Sequence, residues 1–147
     1  MPFHFCSVLL APGSIILPGN WGRIVRLVGN GHPEWKREVI LERIRQAEFS
    51  HLPSRWECVF FSETLAEAEY YGAARGKTPM ILYEVELVEP NAPKHVADWK
   101  GTSPYTDGDE WARRYWRGDV MPGRGPAPAP LCREVLAVTA LRILHQV

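Results

Sequence analysis

The sequence predicts an α+β fold, and three observations carry that prediction. Stretches of two-residue apolar alternation and stretches of three- and four-residue apolar spacing both occur. They follow one another irregularly, without the repeated strand-helix units of a doubly wound sheet and without an internal repeat. Twelve glycines and thirteen prolines supply the turns of what reads as one domain over residues 1–147.

Residues 1–9 favour a strand in which Phe3, Phe5 and Ser7 alternate with His4, Cys6 and Val8, so His4 faces away from the phenylalanines. That strand ends at Pro12-Gly13. A short extended piece over 14–17 meets Pro18-Gly19, and 23–28 reads as a further strand before the break at Gly29-Asn30-Gly31. Over 33–47, Trp35, Val39, Ile40, Ile44 and Ala47 recur at helical spacing with charges between them, which predicts an amphipathic helix with Pro33 in its first turn. Residues 57–62 read as a buried strand, and Thr64 with Glu67 forms a capping-box pattern opening a helix to about Arg75, stopped by Gly76. Residues 80–88 alternate clearly as a strand with a partly wet face carrying Glu84 and Glu86. A helix is expected over 107–117, then a surface loop over 121–130, whose four prolines bar it from a sheet interior. Residues 133–138 and 141–147 read as two closing strands, paired or continuous through a bend.

Seventeen basic and seventeen acidic residues cancel, so charge gives no sign of a protein built to neutralise many phosphates, and nucleic acid is left as a possible partner without electrostatic support. The opening MPFHFCSVLLAPG lacks the basic start of a secretion signal, and nothing approaches the ~20 continuous apolar residues of a membrane span. A cytoplasmic protein with no membrane partner is therefore expected. Cys6, Cys58 and Cys132 lie far apart with no CxxC pair, so they read as small buried hydrophobes, and no metal site is expected. Local signatures of zinc proteases, phosphate loops, dinucleotide folds and serine hydrolases are absent. Trp99, Trp111 and Trp116, among Arg113, Arg114 and Arg117, are the kind of set that stacks bases, but helix packing under a solvated basic face is the preferred reading.

Four blocks carry a family resemblance. They are FHFCSVLLAPGSIILPG, a histidine-bearing strand followed by two Pro-Gly turns; CVFFSETLAEAEYYGAA, an aromatic strand leading into a helix; ILYEVELVEP; and LCREVLAV. In this order they resemble the ADP-ribosyltransferases, most closely the small bacterial rifampin ADP-ribosyltransferases, over most of the chain except 34–47 and about 99–130. The resemblance implies a split, mostly antiparallel sheet with flanking helices. It also implies NAD as donor of ADP-ribose to an acceptor that the sequence does not identify, be it small molecule, protein or nucleic acid. In the wider histidine-tyrosine-glutamate superfamily the first-strand histidine, here His4, holds the adenosine ribose, and two aromatic rings clasp the nicotinamide. FFS with the following helix is similar to that arrangement, which assigns Phe60, Ser62 and Tyr70 to cofactor binding, with Tyr71 as the alternative to Tyr70. Phe60 stands where the family has tyrosine, so stacking, worth about 0.5–2 kcal/mol for a flat cation, is retained and a hydroxyl contact is lost.

By the same resemblance Glu134 is the catalytic glutamate. Cleaving the bond between ribose and nicotinamide builds positive charge on the sugar, and a fixed carboxylate stabilises that charge. Asp98 competes, because the rifampin enzymes place their acid after the Val-Glu-Pro strand. Glu134 is favoured for its stronger block and its seat on a short strand. The loop 121–130 sits where the superfamily recognises acceptors, and Arg55, Arg23 or Arg26 are offered to the pyrophosphate because guanidinium matches phosphate oxygens. Two other readings accompany this one: an RNA 2'-phosphotransferase, which shares the superfamily's sheet, and a degenerate NAD or nucleotide-binding interaction module.

Overall fold

The chain has an α+β fold. Its computed structural model describes residues 1–76, 80–102, 108–124 and 129–147. In chain order the elements are β1 (Phe3–Cys6), β2 (Ile15–Ile16), α1 (Asn20–Val28), α2 (Trp35–Glu48), β3 (Val59–Phe61), α3 (Leu65–Ala74), β4 (Ile81–Leu87), β5 (Lys94–Asp98), α4 (Glu110–Arg117), β6 (Arg133–Ala137) and β7 (Leu141–Gln146), with single 3-10 turns at Gly29–Gly31 and Arg55–Glu57.

The strands form two sheets, one ordered β1-β4-β7-β2 and the other β3-β6-β5, and every pairing within them is antiparallel. They touch where Phe3 and Ser62 exchange two backbone hydrogen bonds of 2.8 Å. Period-two alternation then divides the interior in two. Val59 and Phe61 of β3 and Val135 and Ala137 of β6 pack with Tyr83, Val85, Leu141 and Ile143 between the sheets. Phe60 and Leu136, on the opposite faces of the same strands, pack with Ala97 against Leu41 and Ile44 of α2 and Trp111, Tyr115 and Trp116 of α4. The α4 tryptophans are therefore core, as helix packing requires, and the Trp116 indole donates to the Leu41 carbonyl over 2.8 Å.

Three local patterns read as expected. Thr64 caps α3, accepting the Glu67 amide proton over 3.3 Å while its hydroxyl donates to the Glu67 carboxylate over 2.7 Å. Gly76 follows the helix in the left-handed region, at φ 69°. Glu84 and Glu86 occupy the wet face of β4, meeting His145 and Arg142.

Three differ. Residues 23–28 belong to helix α1, not to a strand. Ile24, Val25 and Val28 favour strand locally, but Gly22 and Val25, three apart, are the buried positions, Gly22 against the Trp56 backbone, and that packing decides the geometry. The closing strands β6 and β7 do not pair. The chain crosses between sheets at 138–140, placing β6 between β3 and β5, and β7 between β4 and β2. Strand β5 is an addition, since KHVAD alternates weakly and follows a proline. The helix expected over 107–117 is observed as Glu110–Arg117, residue 107 lying outside the described residues. Of the loop 121–130, residues 125–128 also lie outside them; Gly123 donates to the Pro130 carbonyl over 2.8 Å, so the loop's two ends are close. Among the described residues no helix is long and apolar enough to cross a membrane.

Candidate functional site

Strand β3 gathers the site. Phe60 lies opposite Leu136 and Ala97 opposite Glu134, so Phe60, Leu136 and Glu134 share the face that meets α2 and α4. Ser62 continues that register toward Glu134, and its backbone carries the bridge to β1. From β1, His4 Nδ1 lies 2.6 Å from the Phe60 carbonyl oxygen. A carbonyl only accepts, so Nδ1 bears the proton and Nε2 is left as an acceptor. Burial lowers the pKa of His4 and outweighs the opposing effect of that hydrogen bond, so the ring is neutral at pH 7.

Glu134 is held by a buried charge network. Arg55, on the 3-10 turn before β3, donates from Nε to Glu38 Oε2 over 2.7 Å and from Nη2 to Glu38 Oε1 over 3.0 Å. Its Nη1 donates to Glu134 Oε1 over 2.5 Å and also to the Tyr115 hydroxyl, which donates onward to Glu134 Oε1 over 2.7 Å. Arg37 Nη2 also donates to Glu38 Oε1, 3.1 Å away. The Arg55 guanidinium also stands over three rings, 4.7 Å from the centre of Phe60, 5.1 Å from Tyr115 and 5.6 Å from Trp21, and Trp21 meets Phe60 edge-on. Burial pushes the Glu134 carboxyl up, but the charge of Arg55 and the hydrogen bonds from Tyr115 and Arg55 together outweigh it, leaving the pKa below the ordinary value. Glu134 is thus ionised at neutral pH. Burial raises the pKa of Tyr115, keeping it a proton donor.

A second group, on the same side of the sheet, is aromatic. Trp99 lies two residues beyond Ala97, on Glu134's side of the sheet, with its ring centre 5.2 Å from Tyr71 and 6.0 Å from Tyr70. Tyr71 also packs on Phe5 at 6.1 Å, and burial raises its pKa. Tyr70 is tied elsewhere: its hydroxyl donates to the Arg124 carbonyl and accepts from the Arg124 amide and from Lys100, each over 2.9 Å. Tyr71 feels the charge of Glu134. The indole nitrogen of Trp99 is buried without a hydrogen-bond partner among the described residues.

Two sequence candidates do other work. Asp98 pairs with Arg133, one step from the Ala97–Glu134 pair, and so lies on the other face of the sheet. Its carboxylate accepts the amides of Lys100 and Gly101 over 2.7 and 3.1 Å and that of Met121 over 2.9 Å, which fixes the turn after β5. Asp98 and Glu134 are therefore not two acids of one site. Arg55 is not free for a pyrophosphate: four of its five N–H donors are spent on Glu38, Glu134 and Tyr115. Arg23 and Arg26 lie on α1, with Arg26 stacked 5.1 Å over Trp56. The residues that sequence reasoning missed are Glu38, Tyr115 and Trp21, and Trp99 enters it only with Trp111 and Trp116, as a base-stacking set or helix packing. Glu38 and Tyr115 lie in helical patterns where a charge looks solvated and a tyrosine looks like core, so neither carries a local signal.

Among the described residues no group of three or more His, Cys, Asp or Glu could hold a metal ion. What the site offers is a neutral imidazole acceptor, a ring face that carries one planar cation, and an ionised carboxylate, all attached to β3 or its neighbours. The cation on Phe60 is the chain's own Arg55, so one face of that ring is taken.

A family model described as a protein of unknown function (DUF2441) matches residues 20–125. The matched stretch contains Glu38, Arg55, Phe60, Tyr71 and Tyr115 and stops short of His4 and Glu134. No curated protein matches the chain.

Proposed function

We propose that this chain, which belongs to the DUF2441 family, is an NAD-dependent mono-ADP-ribosyltransferase. The observation that supports this most is the convergence on β3. The first-strand histidine binds the Phe60 carbonyl, the Phe60 ring faces the second core, and Glu134 stands ionised on the adjacent strand, in the chain order the family resemblance requires. In this reading His4 Nε2 accepts from a hydroxyl of the adenosine ribose. The nicotinamide ring lies between Phe60 and Tyr71, on the side of Phe60 away from Arg55. Glu134 stabilises the positive charge that develops on the ribose as nicotinamide leaves, and the acceptor's nucleophile then takes the ribosyl carbon while giving up its proton to solvent. Tyr115 and Arg55 hold one carboxylate oxygen, Oε1, and so leave Oε2 to face the sugar.

The test is nicotinamide release from labelled NAD, with transfer of label to components of a cell extract. Glu134→Gln is expected to lower the rate by about a hundredfold or more. Equal rates for wild type and variant, or none for wild type at high protein concentration, would remove the reading.

One observation favours a second reading, a nucleotide-binding module without turnover. Arg55 occupies a face of Phe60 and neutralises Glu134, a geometry that satisfies the carboxylate in the absence of any sugar cation. Calorimetric binding of NAD with no nicotinamide released would select it.

A further inference from the structure

We propose that the outer face of α1 docks on an anionic membrane surface. Helix α1 packs on the domain through Gly22 and Val25. The contact with the Trp56 backbone is so close that a Cβ on Gly22 would lie 2.4 Å from the Trp56 carbonyl oxygen. A helix seated this way normally turns polar residues outward. Helix α1 instead turns out Ile24, Leu27 and Val28, at 54%, 88% and 51% exposure, with Leu17 exposed just ahead of the helix. Arg23 and Arg26 project between the seated face and this ridge, both exposed.

Those two charges are unspent. Arg37, Arg43, Arg45, Arg133 and Arg142 each have a carboxylate within 4.0 Å, whereas Arg23 and Arg26 have none among the described residues. Arg23 donates to the Pro18 carbonyl and Arg26 rests on an indole, contacts that leave the positive charge uncompensated. The sequence from residue 1 to 33 contains no Asp or Glu; Glu57 lies by Gly19, at the start of the helix, and Glu42, which lines the same hollow as Arg26, is itself bonded to Arg45 and Ser54.

Charge and area together select the occupant. A second copy docked on the same ridge would bring its own Arg23 and Arg26 against this pair. Three aliphatic side chains on a nine-residue helix about 13 Å long bury far less than the roughly 800 Å² per partner of a stable protein interface. An anionic bilayer needs neither a matching groove nor that area: it takes isolated aliphatic side chains into its boundary and supplies anionic headgroups to the arginines. The sequence expectation is of no membrane partner at all; it rests on the lack of a spanning segment, and a surface contact needs none.

The test mixes the full chain with sedimentable phosphatidylcholine vesicles, with and without phosphatidylserine, and measures its mass in solution alongside. The chain is expected to sediment with the phosphatidylserine vesicles alone. Leu27→Glu and Arg26→Glu, both at exposed positions, should each weaken that partition by about tenfold or more, with circular dichroism unchanged. Equal binding to neutral vesicles, undiminished binding by Leu27→Glu, or no binding to either vesicle would overturn the proposal. So would a concentration-dependent dimer that Leu27→Glu abolishes in the absence of vesicle binding, which would give the face to a second copy.

Discussion

Replacing Arg55 by Met tests whether Glu134 is held as an ion by the one cation in direct contact with it among the described residues. In the native chain Arg55 is 5% exposed and bonds Glu38, Glu134 and Tyr115. Glu38 keeps Arg37 at 3.1 Å when Arg55 is lost, so the group left without a cation in contact is Glu134. Breaking a buried pair from one side costs about 3–5 kcal/mol, a fifth or more of the roughly 5–15 kcal/mol that holds a typical domain folded. The loss is read from urea unfolding midpoints at neutral pH. A double variant, Arg55→Met with Glu134→Leu, should recover most of it, because two apolar groups replace the pair without stranding a charge.

The pH dependence sharpens the test. The folded pKa of Glu134 is lowered, so its contribution to stability is complete above the ordinary glutamate value of 4.5 and is lost only as pH falls through the lower folded value. Without Arg55, burial becomes the dominant influence and the folded pKa moves above 4.5. The variant's carboxyl then contributes in the opposite sense, and its stability falls as pH rises from 4.5 toward neutrality. A variant that loses less than about 1 kcal/mol, or that keeps the wild-type slope, would refute the buried network as described.

Other outcomes follow from single contacts. Gly22→Ala should destabilise by about 1–3 kcal/mol in urea melts, since the new methyl meets backbone, which cannot swing aside. Asp98→Ala should cost about 2 kcal/mol by leaving backbone amides without their acceptor, yet keep nicotinamide release per folded molecule, the reverse of Glu134→Gln. Burial pushes the Cys58 thiol up to about 12, so at pH 8 iodoacetamide should spare Cys58 in the native chain and modify it in urea, while the half-buried Cys6 reacts in both.

The elements read best from the sequence are those whose local signal and tertiary role agree. Strand β4 alternates and is paired on both sides; α3 opens on Thr64 and stops by Gly76. Helix α1 was illegible because Ile24, Val25 and Val28 argue for a strand, while the deciding contact, Gly22 on the Trp56 backbone, is made 34 residues away in sequence. The site shows the same limit. His4, Phe60 and Glu134 lie in blocks that a resemblance can order, and alternation correctly sets Phe60 and Phe61 on opposite faces. Which carboxylate shares a face with Phe60 depends on the register of β5 against β6, and β5 has no clear pattern. That Arg55 turns inward depends on Glu38, which in sequence is one charge among many on a helix.

Strand β6 is lined on one side by Val135 and Ala137 and on the other by Glu134 and Leu136. A one-residue slip of β6 against β3 and β5 would exchange the two sets, driving the acid into the hydrocarbon between the sheets and leaving valine against the guanidinium. Any drift that moves the carboxylate to the other face of β6 must therefore first unpack the interior.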